Sequence, residues 1–183
     1  MLAVLITPHL RLLLAAAGML LCSCASLLSG GLPLLQMAPA ALGERTVEQR
    51  LTMQWPGDTR TLDVVASIDH DQLSLLGMAL GVRLFALDYD GSTVHKVENV
   101  PMSLPAERML NDFLIVYAPL DALRAALPAD WAVNDSGRQR VLEHAGQSAI
   151  VVDYDAADRW NGHAVLRNSA LHYQLIIDSA VAP

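Results

Sequence analysis

Three short acidic runs carry side chains able to do chemistry: Asp69-His70-Asp71, Asp88-Tyr89-Asp90 and Asp153-Tyr154-Asp155. Carboxylates beside an imidazole bind metals, and paired acids do general acid–base work. Both chemistries require the groups to converge on one point. Three consecutive residues point in different directions, and each run falls at a turn or a strand end. They read as solvated turn residues. Asp135-Ser136-Gly137 sets a hydroxyl beside an acid, but a hairpin turn explains it better. His70, His95, His144, His163 and His172 form no pair four apart with an adjacent Glu, the helical zinc pattern. A site assembled only in space remains open. The residues make no positive case for an enzyme, a metal or a cofactor.

Cys22 and Cys24, both cysteines of the chain, close an apolar run. Zinc needs about four ligands, and a disulfide across so short a loop is strained. The charge-free run Leu12–Leu21 follows Arg11 and would be roughly 15 Å long as a helix, half a bilayer core. A basic start, a short apolar core and small residues after it read as a signal peptide. Leu21-Cys22-Ser23-Cys24 resembles the bacterial lipobox. That resemblance implies cleavage before Cys24, lipidation at Cys24 and anchoring by acyl chains, two of which already hold firmly. Ala25 follows, not the Asp that retains well-studied enterobacterial lipoproteins in the inner membrane, so the expected address is the periplasmic face of the outer membrane.

Cleavage would remove Arg11 and change 12 basic against 19 acidic side chains to 11 against 19, a net charge of −8. So acidic a chain repels nucleic acid backbones. With Cys24 acylated no thiol remains for a disulfide, and about 160 residues must build one core of their own. The expected organisation is a signal peptide over 1–23, an acylated N-terminus and tether over 24–43, and one domain over 44–183. The second half of the tether is apolar enough to predict packing on the domain as a short helix.

The elements follow from periodicity. Val47, Leu51, Met53 and Trp55 alternate with polar residues, as a half-buried strand requires. Pro56-Gly57-Asp58 turns the chain, and Leu62, Val64, Ala66 and Ile68 continue the apolar face. Gln72–Leu76 and Val82–Tyr89 read as further strands, and Asp90-Gly91 as a hairpin leading into Thr93–Glu98. Pro105 opens a helix to about Phe113, Leu114–Tyr117 reads as β-prone, and Leu120, Leu123 and Leu127 stripe a second helix ended by Pro128. Gln139–His144, Ser148–Tyr154 and Leu171–Ile177 return to strand. This is an α+β outline: a strongly curved antiparallel sheet of roughly eight or more strands with two short helices.

Leu76-Gly77-Met78-Ala79-Leu80-Gly81-Val82-Arg83-Leu84, then Asp88-Tyr89-Asp90-Gly91, then Leu123-Arg124-Ala125-Ala126-Leu127-Pro128 and Trp131 carry a further resemblance. The chain resembles a domain-of-unknown-function family of bacterial lipoproteins often encoded with aryl-polyene biosynthesis genes. That family is distantly similar to the lipoprotein carrier LolA and the receptor LolB. The resemblance implies a half-open β-barrel whose mouth short helices close, around an apolar cavity for an acyl or polyene cargo. Leu51, Met53, Trp55, Leu62, Val64, Leu75 and Leu84 are the cavity-lining candidates, although the same alternation could fill an ordinary core. In LolB a loop leucine before a glycine helps place cargo in the membrane. Leu80 lines up with it, so Leu80 and Met78 are the membrane-facing candidates in a loop read as 77–81; the LolB proline before that leucine is Ala79 here. The expected function is binding or delivery of a hydrophobic lipid cargo at the outer membrane, with envelope biosynthesis proteins as further partners. The alternative is an assembly factor that docks on an envelope complex without lipid. A hydrolase of lipid esters comes third and requires a Ser-His-Asp geometry.

Overall fold

The computed structural model describes residues 31–98 and 105–183. The lipidation site Cys24 and the signal peptide lie outside them. Ten strands form one antiparallel sheet: β1 (Arg45–Trp55), β2 (Asp58–Ile68), β3 (Leu73–Ala79), β4 (Val82–Tyr89), β5 (Val94–Glu98), β6 (Trp131–Asp135), β7 (Gln139–His144), β8 (Gln147–Tyr154), β9 (Gly162–Asn168) and β10 (Tyr173–Val181). Their spatial order is β5-β4-β3-β2-β1-β10-β9-β8-β7-β6, so first and last strands pair at the centre and the sheet is not closed. Helices α1 (Ala106–Tyr117) and α2 (Leu120–Ala126) fall between its two halves in sequence.

The sheet is a trough wrapped around α1. Helix α1 touches both β5, an edge strand, and β9, six places away in the sheet, which a flat sheet would not allow. Residues Leu110 to Tyr117 of α1 are buried without a break, the mark of a helix enclosed on all sides. The expectation that the helices only close a mouth is therefore refined. The first turns of α1 stand at one end of the trough, and the last two fill it. The β-prone reading of Leu114–Tyr117 is corrected too, because enclosure overrides the weak preference of Ile115 and Val116 for strand.

The inward face of β1 is Val47, Gln49, Leu51 and then Met53, as the alternation predicts. Gln49 is a polar member of that face. Its Nε2 donates to Tyr117 Oη at 2.6 Å, which satisfies a group that would otherwise be costly to bury. Strand β3 runs three residues beyond the expected Leu76, and β6 and β9 escape the sequence reading altogether. Strand β9 offers only Ala164, Leu166 and Asn168 to the core, too thin a signal beside the polar residues around it.

The compact unit starts at Leu32, within the segment assigned to the tether. Leu35, Met37 and Leu42 are core residues, and Pro39–Leu42 forms the expected short helix, of 3-10 type. Two buried polar side chains hold this segment. Asn111 Oδ1 accepts from Leu35 N at 2.9 Å, and its Nδ2 donates to Pro33 O at 2.8 Å. Tyr89 Oη accepts from Met37 N at 3.0 Å and lies 2.7 Å from Leu35 O. Burial holds the Tyr89 phenol protonated, its pKa raised, so it can serve as donor and acceptor at once.

Candidate functional site

A cavity of about 420 Å³ opens between α1 and the inner face of the sheet. Met53 and Trp55 of β1, Leu62 of β2, Ala79 of β3, and Leu84 and Phe85 of β4 supply its apolar wall. Arg60, Thr61, Arg108, Asp112 and Tyr173 are its polar members, and Pro105 and Met109 complete the side formed by α1. A smaller void of about 30 Å³ adjoins it, sharing Met53, Phe85, Met109 and Asp112 and bounded also by Leu51, Val64 and Leu75. The seven apolar residues singled out from the sequence thus border one or other of these spaces. Gly77, Ala79 and Met78 belong to strand β3, not to a loop.

Local backbone rules explain how the wall is built. Strands β3 and β4 lose register beside Gly77/Met78, where Gly77 faces Phe85 and Met78 faces Arg83. Leu84 is the extra residue, and a bulge of this kind lets two neighbouring side chains face one side. Leu84 and Phe85 both reach the cavity as a result. The turn is only Leu80-Gly81, with φ of 51° and 77°. A two-residue hairpin wants positive φ at both positions. Glycine adopts it freely, whereas a leucine there is uncommon and strained. Leu80 is also fully exposed, and Val82 beside it is 57% exposed. Met78 is half-buried within the strand and does not share the tip with Leu80.

The polar end of the cavity is organised by Asp112. It is buried, and Tyr173 Oη lies 2.8 and 2.7 Å from its two oxygens, donating its single proton between them. Burial pushes the Asp112 carboxyl up to about 7, against the opposing effects of the Tyr173 hydrogen bond and the nearby Arg108 charge. Tyr173 is pushed upward by burial and by the same carboxylate. Arg108 and Asp112 are one turn apart on α1, hence on one face. Sequence reasoning missed both. The signal was there, since Arg108 and Asp112 interrupt an otherwise apolar helical stripe with Met109 and Phe113. Among the described residues, none that lines the cavity is Ser, Cys or His.

Of the acidic runs, Asp69–Asp71 form a turn as expected, whereas Asp88-Tyr89 end β4 and Asp153-Tyr154 end β8, and both tyrosines are buried rather than solvated. Asp69 Oδ1 accepts from the backbone of Asp71 and Gln72, and Asp90 Oδ1 from Ser92 and Thr93. Asp153 pairs with Arg167 across the sheet surface. Asp135 does begin a hairpin, but it is also a buried anchor. It holds Arg140 at 2.8 Å and Arg159 at 2.7 Å, and Arg140, 1% exposed, donates onward to Ile115 O of α1. Burial alone would raise the Asp135 carboxyl. Hydrogen bonds from Arg159, Gly137 N and Arg140 outweigh that and hold it well below the usual range. No group of three metal-ligating side chains exists among the described residues, and no helix among them is long and apolar enough to cross a membrane.

The model of a protein family described as "Protein of unknown function (DUF3261)" matches residues 46–181. The chain belongs to that family. No curated protein matches the sequence. The DUF3261 match spans β1 through β10 and includes both helices and every strand residue that lines the cavity. It begins after the packed leader, so Leu35, Met37 and Leu42 are an addition to the matched region from the same chain.

Proposed function

We propose that this DUF3261 protein is an outer-membrane lipoprotein that binds or delivers a hydrophobic acyl or polyene lipid in the periplasm. The observation that carries the reading is the cavity of about 420 Å³ with a mainly apolar wall, within the usual size range of small-molecule sites. A docking factor needs no interior space of this kind. The cargo class follows from the sequence resemblance to lipoproteins of aryl-polyene biosynthesis and, more distantly, to LolA and LolB. Cys24 supplies the anchor in this proposal, and intact mass after membrane purification tests it. Cleavage before Cys24 with added acyl mass is expected; a Cys24→Ser chain equally firm in the membrane contradicts it.

The fully exposed Leu80 supports a second element of the reading, in which the β3–β4 tip dips into the bilayer interface. Trp55, Ala79, Leu84 and the tip belong to neighbouring strand ends, so the tip sits beside the cavity wall. Burying one leucine contributes about 1.5–3 kcal/mol, enough to orient an already anchored protein. Native mass spectrometry of the full chain from its own membranes tests cargo binding. A lipid-mass adduct is expected in the wild type and should fall sharply in Ala79→Phe, which sets a ring into the cavity. Protein free of any adduct under conditions that preserve weak complexes would contradict the proposal.

A further inference from the structure

The polar groups of the cavity are not balanced in charge. Arg60 and Arg108 both line it in a chain whose net charge is −7. Arg60 is engaged with Asp58 at 2.9 Å. Arg108 is exposed at the outer part of α1, and its side chain makes no hydrogen bond or salt bridge among the described residues. Glu107, on the same helical turn, does not line the cavity. Asp112 lies one turn further in, buried and held by Tyr173.

We propose that the cavity takes a single-chain amphiphile with an anionic head group, its head on Arg108 and its chain against Met53, Leu62 and Leu84. The proposal rests on the lipid-binding reading above and adds the head-group class. A guanidinium presents a planar fork of donors that pairs two oxygens of a carboxylate or phosphate. Asp112 sets the polarity of entry. An anionic head pushed inward would meet a buried carboxyl and an apolar wall, whereas at Arg108 it keeps contact with water. The volume limits the chain number, since about 420 Å³ lies low in the range of sites for drug-sized ligands. One chain suits it better than the three chains of a triacylated cargo.

The test uses membranes bearing the full chain and a palmitic acid that carries a photoactivatable diazirine in its chain. Illumination should label peptides of β1, β2 and β4 that wall the cavity. Excess palmitic acid or hexadecyl phosphate should suppress that labelling about tenfold more effectively than methyl palmitate, which lacks the charge. Comparing the two anionic competitors separates a carboxylate from a phosphate preference. Arg108→Ala should erase the advantage of the charged competitors while the cavity peptides still label, and Arg108→Lys should keep most of it. Equal competition by methyl palmitate in the wild type, or an unchanged preference in Arg108→Ala, would overturn the head-group assignment alone. Absence of label from the cavity walls would overturn the lipid-binding reading as well.

Discussion

Phe85 covers Gly77. The two residues face each other across β3 and β4, and a Cβ built on Gly77 would stand 2.1 Å from Phe85 Cε1. The glycine is there because the ring occupies the space its side chain would take, an aromatic–glycine pairing known to pin strand register. Phe85 is 1% exposed and cannot swing outward. Gly77→Ala should therefore push the ring toward the cavity and cost about 1–3 kcal/mol. Denaturant unfolding measures the loss, and an unchanged midpoint would show that the ring has room to move.

At the tip of the same hairpin, Leu80 combines positive φ with full exposure. Leucine pays roughly 1–2 kcal/mol for that backbone conformation, and asparagine pays less. Leu80→Asn should raise stability by up to about 1 kcal/mol and weaken docking of the protein to lipid vesicles. Thermal melts and vesicle sedimentation read the two effects separately. A variant that is more stable and docks as well as wild type would remove the membrane role of the tip.

The raised pKa of Asp112 makes a stability prediction with a definite sign. Its carboxyl titrates near 7 in the folded chain and near its ordinary 3.8 when unfolded. Between those values the folded state holds the extra proton, so stability falls as pH rises from about 4 to about 7. Asp112→Asn keeps an oxygen for Tyr173 and removes the ionisation. It should flatten that part of the profile and gain roughly 2–4 kcal/mol over wild type at pH 8, with little difference at pH 4. His70, raised by its hydrogen bond to exposed Asp71, is common to both proteins and drops out of the comparison. Parallel profiles would mean that Asp112 is ionised and well solvated.

Asn111 tests the packed leader. It is buried and bonds the backbone of Leu35 and Pro33. Asn111→Ala strands those groups and should cost about 1–3 kcal/mol. Hydrogen exchange should show Leu35 losing protection selectively. If its amide stays as protected as the amides of β1, the apolar contacts of Leu35 and Met37 hold the segment unaided.

Alternation made β1, β2, β4 and β8 legible, because each buries one face and exposes the other. The cavity wall was legible for the same reason, through Met53, Trp55, Leu62 and Leu84. What the alternation does not carry is the third dimension. The last two turns of α1 are buried all round, Asn111 and Asp112 included, only because a trough encloses them, which no local pattern around Ile115 announces. The bulge beside Gly77 shifts Leu84 and Phe85 onto one side, against strict period two. Arg108 and Asp112 meet Arg60 and Tyr173 only after distant parts of the chain have folded together. Arg140 and Asp135 read as ordinary hairpin residues until the burial of Arg140 shows their structural role.

An apolar chain seated beside Trp55 is most directly tested by titrating the unit Leu32–Pro183 with cis-parinaric acid while following tryptophan emission. Trp55 lines the cavity, whereas Trp131 stacks on His144 and Trp160 on Tyr117. Saturable one-site quenching is expected, largely lost in Trp55→Phe. Ligand at about 100 times its dissociation constant should stabilise the unit by about 2.7 kcal/mol. The double variant Leu62→Phe with Ala79→Phe, which narrows the cavity at its wall, should stay folded and lose binding at least tenfold. Quenching that never saturates, or a double variant that binds as tightly as wild type, would contradict a lipid site in this cavity.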